Sequence, residues 1–222
     1  MNRNLTLTLI QKQCLPQSRK NKQRKKLLMI NFTNENVFLV SDTHFNHNKL
    51  VRSCKDHFEQ FRKYETTAEM DKDVIEMWNK TITDNDIVIF LGDFMLCVPG
   101  DHRYKNVFHS YFDKLNKGKQ FIWVMGNHDE KLHQRIPEIE MVDKLQFVKG
   151  DKIYYVQHYD YGEVHDLMPD VIDPNVVFVH GHTHADTKLS RFDYNDQSYI
   201  QNCVCWDAWY RPVNVNELEK CG

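Results

Sequence analysis

The chain has no Cys-x-x-Cys pair, no hydrophobic run approaching a membrane span and no Gly- or Pro-rich stretch dividing residues 30–222. Each absence closes a class of explanation. The six cysteines (Cys14, Cys54, Cys97, Cys203, Cys205 and Cys221) are scattered without a framework spacing, which argues against a thiolate zinc site and a disulfide scaffold. Cys203 and Cys205 would share one face of a strand and fit two small buried side chains at least as well as a bridge. Reduced thiols point to an intracellular, cytoplasmic protein. The most apolar stretch, around residues 87–98, is interrupted by Gly92-Asp93, so no membrane helix is expected. Without a linker or an internal repeat, residues 29–222 read as one domain.

Acid is missing from the first 28 residues, which carry eight Lys or Arg. Removing those eight from the 29 basic residues leaves 21 against 31 acids, so residues 29–222 carry a net charge of about −10. The segment 1–28, with Ser18-Arg19-Lys20-Asn21-Lys22-Gln23-Arg24-Lys25-Lys26 at its centre, is polar and self-repelling and predicts a disordered extension. It suits a dispensable terminus ahead of Met29, a targeting peptide or a nucleic-acid arm. An acidic body lacks the basic footprint of broad nucleic-acid binding, although bound cations can invert the field locally around a nucleotide substrate.

What the chain does contain is five clusters of metal-donor residues: Asp42-Thr43-His44, Gly92-Asp93, Gly126-Asn127-His128-Asp129, His158 and Gly181-His182-Thr183-His184. Each follows a short apolar run: Val37–Val40, Ile87–Leu91, Phe121–Met125, Ile153–Val156 and Val176–Val179. These read as buried strands that deliver donors to the loops at their C-terminal ends, where ligand sites assemble in open α/β sheets. Between them lie two amphipathic helices. Thr66 and Glu69 have capping-box spacing ahead of Met70, Val74, Met77, Trp78 and Ile82. Tyr104, Val107, Phe108, Tyr111, Phe112 and Leu115 form the second stripe, closed by Asn116-Lys117-Gly118.

Singly, an Asp after a strand is a turn former and a lone His is structural. His57, His102, His109, His133, His165 and His180 are read that way, whereas His47, three residues past His44, could face a substrate. Jointly, the clusters supply enough oxygen and nitrogen donors for two divalent ions sharing one carboxylate, the usual apparatus for hydrolysing phosphate esters. Asp93 suits the shared position, because the preceding glycine admits close backbone approach and its carboxylate has two oxygens.

In order and approximate spacing these blocks resemble the calcineurin-like metallophosphoesterase superfamily over about residues 35–212. Ser41-Asp42-Thr43-His44-Phe45, His158-Tyr159 and Trp209-Tyr210-Arg211-Pro212 look like its small single-domain members from bacteria and their viruses. The resemblance implies an α/β fold, a four-layer α-β-β-α sandwich of two mixed β-sheets flanked by helices. It assigns Asp42, His44, Asp93 and His184 to one metal, and Asp93, Asn127, His158 and His182 to a second. His128 would contact the phosphoryl oxygens or protonate the leaving group, oriented by Asp129. Manganese is the expected metal, with iron, zinc and nickel as alternatives. A hydroxide shared by the two ions would attack phosphorus in line.

One position departs from the pattern: Gln157 stands before His158 where the family often has glycine. The protein Ser/Thr phosphatase block Gly-Asp-x-Val-Asp-Arg-Gly is replaced by Gly92-Asp93-Phe94-Met95-Leu96, and Asp129 stands where that branch has Glu. The chain is too short for the large DNA-repair nucleases. Every ligand position is filled, which argues against a trafficking scaffold. The expectation is a phosphodiesterase acting on a small nucleotide or nucleic-acid-derived diester, with a phosphomonoesterase as the alternative; residues 46–66, 94–105 and 159–173 are candidates for specificity.

Overall fold

A computed structural model describes residues 27–52, 62, 64–96, 103–165, 168–169, 171–184 and 186–222. The basic segment up to Lys26, the cysteines Cys14, Cys54 and Cys97, and the histidines His57 and His102 lie outside the described residues, as do parts of the three candidate specificity stretches.

All five expected strands form. β2 (Val37–Val40), β3 (Ile87–Phe90), β4 (Gln120–Val124) and β5 (Met141–Val142) run parallel in one sheet, with β11 (Val213–Asn214) antiparallel to β2 in the order β11-β2-β3-β4-β5. The second sheet, β1-β6-β7-β8-β10-β9, comprises β1 (Leu27–Phe32), β6 (Lys144–Lys149), β7 (Lys152–Gln157), β8 (Val176–His180), β9 (Leu189–Tyr194) and β10 (Gln197–Cys203). It is also mixed: β7, β8 and β10 are parallel neighbours, while β6–β7 and β9–β10 are antiparallel. β1 begins at Leu27, so the two residues ahead of Met29 already pair with β6.

Alternation of side chains divides the core. Val37, Leu39, Ile87, Ile89, Ile122 and Val124 point from the first sheet into a shared layer with Leu145, Phe147, Tyr154, Val156, Val177 and Val179 of the second. Their neighbours Val40, Val88, Phe90 and Trp123 face the other way, onto helices. The first of these helices, Thr67–Thr81, starts where the capping box predicts: Glu69 N donates to Thr66 Oγ1 (3.2 Å) and Thr66 N donates to Glu69 Oε2 (3.1 Å). It buries Met70, Val74 and Trp78, each contributing roughly 1.5–3 kcal/mol by leaving water. The second, Tyr104–Phe112, buries Tyr104 and Phe108. The chain after it turns at Gly118 (φ 62°), where a Cβ would fall 2.2 Å from the Asp86 carbonyl oxygen, so only glycine fits. On the outer face of the second sheet, Val176, Phe178 and Phe192 pack with Tyr161, Met168 and Ile172.

This architecture sets the site. β2, β3, β4, β7 and β8 end within three residues of Asp42, Asp93, Asn127, His158 and His182 respectively. The dry layer between the sheets holds those strand ends in fixed register, so all five loops open along one rim.

Candidate metal centre

The loops carrying the donors are strained in a consistent way. Among the described residues nine non-glycine positions have positive φ, and five of them are Asp42 (59°), His44 (49°), Asp93 (58°), His182 (71°) and His184 (48°). Left-handed backbone costs a side-chain-bearing residue on the order of 1 kcal/mol, and such strain concentrates where geometry serves a function. Glycines let the loops meet. A Cβ on Gly92 would lie 2.3 Å from Gly126 N, and one on Gly181 would lie 2.7 Å from Asp42 Oδ2.

The donors converge as two poles joined by one carboxylate. At the first, His44 Nε2 and His184 Nε2 are 2.9 Å apart, and Asp42 Oδ1 lies 3.7 and 3.5 Å from them. At the second, Asn127 Oδ1 is 2.8 Å from His158 Nε2 and 3.0 Å from His182 Nδ1, while the two ring nitrogens are 3.2 Å apart. Asp93 Oδ2 stands between, 3.6 Å from His44 Nε2 and 3.6 Å from His158 Nε2. Three overlapping groups (Asp42, His44, His184; His44, Asp93, His128; Asp93, His158, His182) each keep their ligand atoms within 4.8 Å of one another. His128 sits at the rim with its side chain 37% exposed, its Nε2 3.8 Å from Asp93 Oδ2 and its ring edge-on to His44. Burial lowers its pKa despite the charges of Asp129 and Asp42, so the ring is neutral near pH 7.

Supporting contacts settle which ring nitrogens face inward. His158 donates from Nδ1 to the Leu91 carbonyl (2.7 Å), which leaves a lone pair on Nε2. His184 donates from Nδ1 to Asp207 Oδ2 (2.7 Å), and Asp207 in turn takes Arg62 through both carboxylate oxygens. Arg62 is fully buried and also donates to the Asp42 and Thr43 carbonyls. Burial would raise the Asp207 pKa, but Arg62 and the His184 hydrogen bond hold it well below the usual carboxylate range.

Asp207 and Arg62 are absent from the sequence reading. Asp207 follows no strand-end glycine, and Arg62 lies in a polar stretch without periodicity. Their only trace is position, Asp207 just ahead of the Trp209-Tyr210-Arg211-Pro212 block and Arg62 within one of the candidate specificity stretches.

Asp129 has a different job from the expected one. Instead of the His128 imidazole, its carboxylate accepts from the backbone amides of Asp93 (2.9 Å), Phe94 (3.2 Å) and Gly126 (3.0 Å) and from Trp123 Nε1 (3.0 Å). It ties the Gly92-Asp93 loop to the Gly126 loop, and reaches His128 only through its charge. His128 is placed by its own amide, which donates to Asp93 Oδ1 (2.8 Å).

The donor set fits cations. Asp42 Oδ1 is buried without a hydrogen-bond partner, a costly arrangement unless a positive ion is to sit there. Burial, Asp42 and Asp129 together push the Asp93 carboxyl up to about 9 in the metal-free protein. Burial alone dominates His44, pulling it down to about 3, so that its ring is a neutral ligand. Mixed carboxylate, amide and imidazole donors suit divalent manganese, iron, zinc or nickel.

His47 also comes to the rim, while His109, His133 and His165 stay at the surface away from it. His180 is buried and donates to its neighbour's carbonyl, Gly181 O (2.8 Å). Cys203 and Cys205 are free and buried; Cys203 ends β10, and Cys205 caps the short helix Trp206–Trp209 and donates its thiol to Asp42 Oδ2 (3.3 Å). Among the described residues no helix is long and apolar enough to cross a membrane.

Two mixed sheets flanked by helices, with this donor rim, define a metal-dependent phosphoesterase. The chain belongs to the calcineurin-like phosphoesterase family, whose model matches residues 36–220. It is 28% identical over 186 residues to an uncharacterised protein of Methanocaldococcus jannaschii, covering 83% of this chain and 89% of that one. A crystal structure of a protein of unknown function from Aquifex aeolicus superposes with a TM-score of 0.55 at 20% identity, over 83% of this chain and 97% of that one. A Pseudomonas putida nuclease matches more loosely, at a TM-score of 0.39 and 15% identity over 76% of this chain and 72% of its own.

Proposed function

We propose that the protein is a dinuclear phosphodiesterase acting on a small nucleotide or nucleic-acid-derived diester, with manganese as its metal. The observation that carries the dinuclear reading is Asp93 Oδ2, equidistant at 3.6 Å from one imidazole of each pole. Asp42, His44, Asp93 and His184 would hold one ion, and Asp93, Asn127, His158 and His182 the other. When bound, such ions act as Lewis acids toward a phosphoryl group and lower the pKa of water to about 7.

The chain's own residues supply the rest. The His158–Leu91 and His184–Asp207 hydrogen bonds hold both imidazoles with Nε2 turned inward. Asp129 holds the two central loops together and so fixes the Asp93 carboxylate. His128, half-exposed at the rim, donates a hydrogen bond from its ring N–H to a non-bridging oxygen while neutral; only its imidazolium form would give a proton to the departing alkoxide. Family resemblance supports the diester preference, the filled ligand set speaks against a non-catalytic scaffold, and the net acidity of residues 29–222 favours a small substrate over a long polyanion.

Manganese-loaded protein should hydrolyse bis(p-nitrophenyl) phosphate faster than p-nitrophenyl phosphate. Dominant monoester turnover would replace this reading with a phosphomonoesterase.

A further inference from the structure

We propose that His47 is a second imidazole that contacts the substrate's phosphoryl group, donating a hydrogen bond from Nε2 beside His128. The inference rests on the phosphoesterase reading of the same centre and extends its substrate-binding side.

The turn that carries His47 is built rather than loose. Phe45 is pinned on both sides, its amide donating to Phe94 O (2.8 Å) and its carbonyl accepting from Leu96 N (3.2 Å). Asn46 takes a left-handed conformation (φ 60°), and its amide donates to the buried Asp71 carboxylate (3.2 Å). His47 then opens the short helix Asn48–Arg52, and the Leu50 amide is shared between the His47 carbonyl (3.0 Å) and the His47 Nδ1 (3.3 Å). The longer branch favours one tautomer: a neutral ring accepting at Nδ1 carries its proton on Nε2. Among the described residues, none takes that proton.

The ring lies against the metal-donor rim. It stands perpendicular to His44 (87°, centroids 5.4 Å apart) and 6.4 Å from His128, which packs on His44 in the same edge-on way (83°, 5.2 Å). His44 thus carries two partly exposed imidazoles. Donors of about 2.8 Å reach on two rings this far apart fit two non-bridging oxygens of one phosphoryl group.

The bland alternative is that His47 merely caps its helix. Histidine is not a favoured cap; Asn, Asp, Ser and Thr satisfy the amide better. A capping role alone therefore does not account for a ring placed on His44.

The alternatives separate in His47→Asn, which keeps a capping acceptor and removes the imidazole. Inorganic phosphate is titrated into manganese-loaded wild type and variant by calorimetry, with metal content and melting temperature measured alongside. The expected result is phosphate binding weakened by about 10- to 100-fold, the range for a lost hydrogen bond to a charged group, with both ions retained and little change in melting temperature. Turnover of bis(p-nitrophenyl) phosphate should fall by a similar factor.

Unchanged phosphate affinity would overturn the proposal, as would a loss that merely tracks lost metal. His47→Gln, read the same way, serves if the Asn variant does not fold. Should wild type bind phosphate in a His47-dependent way yet hydrolyse no ester, the esterase reading fails and this one stands. Hydrolysis by wild type with no effect of His47→Asn gives the opposite result.

Discussion

The two poles of the centre are built from similar side chains and supported in different ways. At the Asp42–His44–His184 pole two ligands are almost completely enclosed, Asp42 at 0% and His44 at 2% exposed, and the His184 side chain is 18% exposed. Behind His184 stands a charged chain, Asp207 and Arg62, itself buried. At the other pole Asn127 is exposed, His182 is 31% exposed at its side chain, and His158 leans on a neutral backbone carbonyl. The first pole owns a carboxylate, Asp42, while the second has only neutral ligands and a share in Asp93.

A buried carboxylate with an unpartnered oxygen binds a cation strongly, because in low dielectric the ion replaces the solvation the site has lost. An exposed amide and a partly exposed imidazole beside the buried His158 bind it less strongly but leave room for substrate. One pole is shaped for retention and the other for access.

Asp93 is what makes these poles one site, so its removal should have the largest effect. Asp93→Asn keeps the volume and loses the anionic oxygen that faces both imidazoles. We expect turnover of bis(p-nitrophenyl) phosphate to fall at least about 10³-fold, or roughly 4 kcal/mol, and elemental analysis to find fewer than two ions per chain. Full occupancy in this variant would mean that the poles are independent. His128→Ala should come next, with a loss of about 10²- to 10⁴-fold and both ions retained. Loss of an ion there would move His128 from the substrate to the ligand set, a role that its 3.8 Å approach to Asp93 Oδ2 makes worth excluding.

The poles also differ in how legible they are in the sequence. Donors themselves stand out because each follows an apolar run of four or five residues, and core packing does not call for Asp, Asn or His at every strand end. Helix Thr67–Thr81 stands out because Thr66 and Glu69 form a local signal that needs no tertiary partner. The support behind the buried pole is hidden for the opposite reason. Arg62 and Asp207 lie 145 positions apart, and neither has a local pattern; only folding brings them together. Strands β6 and β10 escape notice because Lys144, Gln146, Lys149, Gln197, Ser198 and Gln201 interrupt their apolar residues, although Gly150-Asp151 and Asn195-Asp196 mark the adjoining turns. β1 is masked by the basic run before it. Asp129 shows how a motif can be legible while its role is not, since its four donors come from three loop amides and an indole.

That hidden support provides the next test. Asp207→Asn keeps an acceptor for His184 and drops the charge beside it. Changes of this kind cost about 10- to 100-fold in metal affinity. In a competition titration against a chelator, wild type should fill in two steps with the enclosed pole first. The variant should lose the tighter step and keep the weaker one. Equal weakening of both steps would show that the Arg62–Asp207 chain braces the whole rim rather than one pole.

The smallest effect concerns the scaffold behind the enclosed pole. Asp71 is buried beneath the Asn46 turn and accepts its amide. Burial raises its carboxyl to about 6 from a usual 3.8, against the opposing pull of Tyr111, the Asn46 amide, Arg62 and Lys114. A carboxyl raised on folding holds its proton more tightly in the native state. Its contribution is therefore complete below about pH 4 and is lost as pH rises through about 6. Asp71→Asn cannot ionise and escapes that loss. Its melting temperature, compared with wild type at equal metal loading, should show a difference that grows between about pH 4 and 6 and then levels. The final gap should be on the order of 1–3 kcal/mol, or roughly 2–10 °C for a chain of this size. At the open pole the support is of another kind, since His158 rests on a carbonyl that does not titrate. Parallel melting curves from pH 4 to 8 would mean that Asp71 stays ionised under the turn, with its charge met by Arg62 and Lys114 rather than suppressed by burial.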